Sequence, residues 1–257
     1  MTNIGGILRP RNKRVHYPNY RLIHLYYNDD KYLTTFWNTL SLLFPQGESF
    51  FIRSVRNFRD SCPKSMQNEI SAFIGQEAFH TREHIAFNDL LGYNVDKELS
   101  YILSNLGKLP NSVQLAITCA LEHFTALMGY QLLTDSKHRS SVKYGFGELW
   151  YWHAFEECEH RAVSFDVYDS CVDNYILRVS IMFAVTVGFI SVTLKFYLDN
   201  LQKQGLRNKV NTGIALAKLV LLFSKLTPEY LAYYLPNFHP TQLGKDYVSF
   251  FQESSLY

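Results

Sequence analysis

Glu77 and His80 stand three residues apart, and so do Glu157 and His160. Residues three apart on a helix face the same way, with Cβ atoms ~5–6 Å from each other. Each pair can therefore grip one metal ion. Two further acids, Glu48 and Glu122, fall at helix-compatible places, one before the first pair and one between the pairs. The order Glu, Glu-x-x-His, Glu, Glu-x-x-His on four segments is the ligand set of a four-helix bundle holding two metal ions in its core. The intervals of 29, 45 and 35 residues from 48 to 77, 122 and 157 each allow one helix-to-helix passage. Four carboxylates balance two divalent ions, and mixed carboxylate and imidazole ligands suit Fe or Mn, as Fe/Fe or Mn/Fe.

The chain around these residues reads as helices. Leu33, Phe36, Trp37, Leu40 and Leu43–Phe44 have helical spacing, and Pro45 and Gly47 predict a kink or a fresh helix start just before Glu48. A helix beginning near Ser61-Cys62-Pro63 should run to Leu91 and stop at Gly92, with Ile70, Phe73, Glu77, His80, His84 and Phe87 on its inner face. His84 then reads as either a third nitrogen ligand or a neighbour of the ligands. Residues 92–110 form a crossing with a short helical piece. The next helix runs from Asn111 to about Leu133, with Glu122 inward and His123 turned about a hundred degrees away. The fourth, about Glu148 to Val172, carries His153 on the face of Glu157. Glu156, Glu159 and Arg161 are expected on its flanks, paired with one another. Cys158 reads as a small apolar residue there.

A helix from Tyr175 to about Asp199 follows, without a charge from Val179 to Leu194. Those sixteen residues fall short of the ~17–25 of a bilayer span. They predict a helix packed on all sides in the core or docked on a hydrophobic substrate tunnel. A membrane-associated hairpin with Ile214 to Phe223 is the alternative. The whole reads as one metal-binding helical domain. An N-terminal arm (1–20), solvated and partly mobile, precedes the metal core (31–172). Apolar helices (175–226) and an aromatic tail (227–257), wrapped over the bundle, complete it.

The formal charge of +2 carries no long basic block, so nucleic acid is excluded as the main partner. The four scattered cysteines show no Cys-x-x-Cys pair and read as reduced thiols of a cytoplasmic protein. No apolar leader stretch marks the start. A peripheral membrane contact, a homodimer and an electron-donor protein are left open.

The runs Phe44-Pro45-Gln46-Gly47-Glu48-Ser49-Phe50-Phe51, Gln76-Glu77-Ala78-Phe79-His80-Thr81-Arg82-Glu83-His84, Leu121-Glu122-His123-Phe124-Thr125 and Trp152 to Tyr168 resemble bacterial proteins called predicted metal-dependent hydrolases. The resemblance covers roughly residues 20–225 and implies hydrolysis. The ligand pattern is also similar to that of ferritin-like di-iron proteins, which store iron or activate O₂. It implies an all-α, ferritin-like four-helix bundle with a dinuclear metal site and extra C-terminal apolar helices. His84 and His153 resemble the additional histidines of di-iron N-oxygenases. The sequence therefore ranks an O₂-activating oxidoreductase acting on a small or lipid-like substrate first. A hydrolase using a metal-generated hydroxide, with Glu156, Glu159 or His153 as proton carrier, comes second, and a metal store third.

Overall fold

The structure, a computed structural model, describes residues 8–17, 19–242 and 244. The parts of the arm and tail at 1–7, 18, 243 and 245–257 lie outside the described residues. Among the described residues the fold is all-α, with one isolated antiparallel bridge between Tyr27 and Val142.

The first helix, α1, spans Lys31–Arg56. Asp30 starts it by accepting hydrogen bonds from the Tyr32 and Leu33 amides at 2.9 and 3.2 Å, which satisfies two of the four free donors of a helix start. Pro45 lies inside α1 without ending it, so the fresh start predicted there does not occur. The helix α2, Gln67–Leu91, follows two short 3₁₀ turns and ends where Gly92 takes a left-handed conformation (φ 73°). A connecting helix, α3 (Asp96–Leu106), leads to α4, Asn111–Thr134. The polar connection after it holds one helical turn, α5 (Ser136–Arg139).

The predicted fourth helix is two. The helix α6 (Gly147–His160) ends just past the second Glu-x-x-His, and α7 (Val163–Cys171) begins after a turn. Arg161 explains the break: its guanidinium donates to the Cys158 carbonyl, which in a continuing helix would accept from the Ala162 amide, and to the Pro240 carbonyl.

Packing pairs α1 with α2, α2 with α6, α6 with α4 and α4 with α1, which closes a four-helix ring. The backbones of α4 and α6 approach closely at Gly129. A side chain at Gly129 would put its Cβ 2.8 Å from the Ala154 carbonyl oxygen, so only glycine fits. One end of the ring is filled by aromatic rings, among them Tyr26 stacked on Phe146 at 4.6 Å and Trp37 edge-on to Trp150 at 5.0 Å.

Two long apolar helices lie outside the ring, α8 (Tyr175–Lys203) and α9 (Lys209–Phe223). Asn174 and Asn208 cap them by accepting from the Leu177 and Asn211 amides. A short α10 (Thr227–Ala232) then brings Tyr233 and Phe238 against His123 and Phe165. Packing of α8 on all sides does not occur. The helix rests by one face on α4 and α1, and only 17% of its most apolar 18-residue window is buried. By length and composition α8, and likewise the stretch Lys209–Ala232, could cross a membrane. Where it is described, the arm is not wholly solvated: Arg9, Arg11 and Val15 hydrogen-bond to α2 and α6.

Candidate metal centre

The ring places one acid or one Glu-x-x-His on each of its helices: Glu48 on α1, Glu77 and His80 on α2, Glu122 on α4, Glu157 and His160 on α6. All six are buried. His160 Nε2 lies 2.9 Å from Glu77 Oε1, 3.4 Å from Glu122 Oε2 and 3.6 Å from Glu157 Oε1. His80 Nδ1 lies 3.5 Å from Glu157 Oε1 and 4.0 Å from Glu77 Oε2. Donor atoms within 4.8 Å of one another define overlapping groups: Glu48, Glu77, His80; Glu77, Glu157, His160; His80, His153, Glu157; and Glu48, His84, His153.

A metal fits this cluster because its polar atoms are otherwise orphaned. Glu48 Oε1, Glu77 Oε2, both Glu122 oxygens and Glu157 Oε2 are buried without a hydrogen-bond partner, and His80 Nδ1 and His160 Nε2 face only carboxylates of the cluster itself, His160 Nε2 at 2.9 Å from Glu77 Oε1. Leaving one such atom unmade costs about 1–3 kcal/mol, more when charged. Cations are the partners that would satisfy carboxylates and bare imidazole nitrogens together.

The charges respond to the crowding. Burial, with Glu77 next, pushes the Glu122 carboxyl up to about 8. Burial and Glu77 also hold Glu48 well above its ordinary range, and burial raises Glu77. For His80 burial pulls downward, but hydrogen bonds to Glu156 and Glu157 outweigh it and push the imidazole up to about 10. Burial opposes ionisation of Glu157 as well, yet His160 and His153 hold it well below the usual range.

Both histidines have their outer nitrogen occupied. His80 Nε2 meets Glu156 Oε2 at 3.0 Å, and His160 Nδ1 meets the Gln76 carbonyl Oε1 at 3.0 Å. With a proton on each outer nitrogen, the inner one is free to ligate; such outer partners orient a ligand and raise its basicity. Glu156 and Gln76 are held in turn by the N-terminal arm. The Arg11 amide and guanidinium donate to Glu156 Oε1 at 3.2 and 3.1 Å, the guanidinium also grips Glu159 at 2.6 and 2.8 Å, and Gln76 Nε2 donates to Glu159 and to the Arg9 carbonyl. The predicted pairing of Glu156, Glu159 and Arg161 with one another is thus replaced by pairing of both acids with Arg11. Nothing in the local sequence of the arm signals this. An arginine 145 residues from Glu156 becomes its neighbour only through the tertiary fold.

His84 and His153 form a separate chain. Asn88 Nδ2 donates to the Ser41 carbonyl, so Asn88 Oδ1 accepts from Ser41 Oγ at 2.7 Å. Ser41 Oγ meets His84 Nδ1 at 2.7 Å, and His84 Nε2 meets His153 Nδ1 at 2.6 Å. His153 Nε2 is hydrogen-bonded to Glu157 Oε1 at 2.9 Å and lies 3.8 Å from Glu48 Oε1. Burial, followed by the neighbouring imidazoles, lowers His153 to about 4 and His84 well below the ordinary value, so both rings are neutral. His123 lies elsewhere, with Nε2 3.2 Å from the Glu229 carbonyl. Cys158 is buried with its Sγ toward the Ala126 carbonyl at 3.9 Å.

A narrow cleft runs to His153 and Glu157 between α1, α4 and α6. Its walls are Trp37, Leu40, Phe44, Met128, Leu132 and Trp150, with Thr125 the other polar residue besides the two at its head. Sequence spacing offers no sign of it, because its walls come from three helices.

Fold and site together define a helical protein with a buried carboxylate–imidazole cluster suited to metal. The chain belongs to the predicted metal-dependent hydrolase family, whose family model matches residues 9–244. No curated protein and no solved structure matches it.

Proposed function

We propose that the chain is a hydrolase working with two divalent ions held by Glu48, Glu77, His80, Glu122, Glu157 and His160. The observation that carries this reading is the convergence of buried carboxylates and imidazoles from four helices beside His153 at the head of an apolar cleft. When bound, such ions supply Lewis acidity toward a carbonyl or phosphoryl oxygen and lower the pKa of water.

The chain's own residues divide the remaining work. The cleft walls bind an alkyl or aryl arm of a small or lipid-like substrate and exclude water. His153 takes up the proton released as water attacks, and Glu157, 2.9 Å from its Nε2, stabilises the resulting imidazolium. His84 and Ser41 hold the His153 ring in place. Glu156 and Glu159 face Arg11 instead of the cleft, so they serve the ligands and not proton transfer. Carboxylate-rich donors favour Mn or Fe over Zn. The oxygen-activating reading rests on the donor set alone, whereas the family description adds independent weight to hydrolysis.

The test is turnover of p-nitrophenyl esters and phosphoesters of increasing chain length under nitrogen, by protein loaded with Mn²⁺. Anaerobic hydrolysis that disappears in Glu77→Ala and His160→Ala along with bound metal is expected. Absence of anaerobic turnover, with O₂ consumed by the iron-loaded protein and a reductant, would overturn hydrolysis and restore the oxygenase.

A further inference from the structure

The outer face of α8 is apolar and uncovered. Ile176, Phe183, Val187 and Ile190 are 66, 66, 55 and 50% exposed, and their spacing of seven, four and three residues puts them on one stripe. On α9 and beyond, Val210, Val220, Leu221 and Leu231 are also exposed. Gly188, in the middle of the α8 stripe, has open space where a side chain would stand, so no contact within the chain accounts for it. An apolar surface this continuous marks a binding face on a folded protein.

Two observations identify the occupant. The first is anchorage. Arg178, near the start of α8, donates to the Tyr233 and Leu235 carbonyls, and Asn200, near its end, donates to Thr39 on α1. Between them Phe189 stacks on Phe124 of α4. The helix is tied at its start to the segment after α10, in its middle to α4 and at its end to α1, and since α1 and α4 carry the buried Glu48 and Glu122 it cannot cross a bilayer without carrying those acids with it. Contact in the plane of the surface remains.

The second is charge. Residues 175–235 hold seven Lys and Arg against two Asp and Glu, a net +5, which leaves the rest of the chain at −3. Lys203, Arg207 and Lys209 are exposed at the corner between α8 and α9, where Lys195 and Arg207 share the single acid Asp199, and Lys225, paired with Asp135, is exposed at the far end of α9. Basic residues flanking an apolar helical face match anionic headgroups above acyl chains. A second copy docked by the same face would bring two basic corners together.

We propose that the outer faces of α8 and α9 dock in the plane of an anionic lipid bilayer. The Phe183–Ile190 stripe inserts among the acyl chains and the lysine-rich corner sits at headgroup level. This does not rest on the hydrolase reading, since it concerns a face outside the metal-binding ring.

The experiment is flotation of the full, metal-loaded chain with extruded vesicles of phosphatidylcholine containing about 30 mol % phosphatidylglycerol, against phosphatidylcholine alone. Recovery with the anionic vesicles should exceed that with the neutral ones about tenfold and should drop when NaCl rises from about 0.1 to 0.5 M. The double variant Phe183→Asp/Ile190→Asp changes only exposed positions. It should keep wild-type metal content and melting temperature while its flotation falls about tenfold. Equal flotation of variant and wild type would overturn the proposal. So would failure to float on any vesicle, including the case of a dimer in solution that the same variant dissociates, which would assign the face to a second copy. Hydrolysis of a soluble ester by the variant is measured in parallel, so a failure of the hydrolase reading is seen separately.

Discussion

Metal uptake by this cluster should expel protons, and the number can be worked from its titration. With its carboxyl at about 8, Glu122 carries about 0.9 of a proton at pH 7 and about 0.1 at pH 9. His80, at about 10, carries a full extra proton at pH 7 and most of one at pH 9. Ligation requires both protons to leave. Filling the cluster at pH 7 should therefore release about two protons from these groups alone, and about one fewer at pH 9. Apparent affinity should rise roughly a hundredfold per pH unit near neutrality. Mn²⁺ titrated into weakly buffered protein containing a pH indicator reads the release directly, and His123→Ala, remote from the cluster, should leave it unchanged. Release below about half a proton at pH 7, or a release identical at pH 7 and 9, would refute the assigned protonation. The same shifts set the stability of the metal-free chain. Glu122 accumulates a penalty as pH rises from its unfolded value of about 4.3 to 8, and His80 loses its contribution between about 6.5 and 10. Both signs agree, so metal-free protein should weaken most steeply from pH 6.5 to 8 while loaded protein does not.

Arg11→Ala removes the group that steadies Glu156 and Glu159, and should weaken metal retention about 10–100-fold in competition with a chelator. Its metal-free melting temperature should change little, and Arg11→Lys should restore less than half the loss because a lysine cannot grip two carboxylates in a fork. His153→Ala should keep its metal but lose about 10²–10⁴-fold in hydrolysis; His84→Ala should lose less, because it only positions the His153 ring. Gly129→Ala drives a Cβ into the α6 backbone and should cost about 1–3 kcal/mol in denaturant unfolding. A cost near zero would mean that α4 and α6 separate more easily than their contact implies.

The two Glu-x-x-His pairs were legible because three-residue spacing has one local meaning on a helix, whatever surrounds it. The same local logic located the stop of α2 at Gly92, although its start lies at Gln67 and not near Ser61-Cys62-Pro63, and it placed Glu122 and His123 on different faces of α4. Where the determinant is distant in sequence, local reading failed. Pro45 and Gly47 predict a kink or a fresh helix start, and α1, packed on α2, runs through Pro45 without a restart. The break after His160 depends on Arg161 reaching Pro240, 79 residues on. The uncharged run in α8 establishes an apolar helix but is silent on which face is covered, since burial is a property of neighbours. The fork of Arg11 on Glu156 and Glu159, and the chain from Asn88 through Ser41 and His84 to His153, likewise join segments that only the packed bundle brings within hydrogen-bond distance. Helix periodicity is written residue by residue, so sequence alone determined the donor types and their helical pairing. The orientation of those donors, their protonation and the open face of α8 depend on contacts between helices, and these the tertiary structure decided.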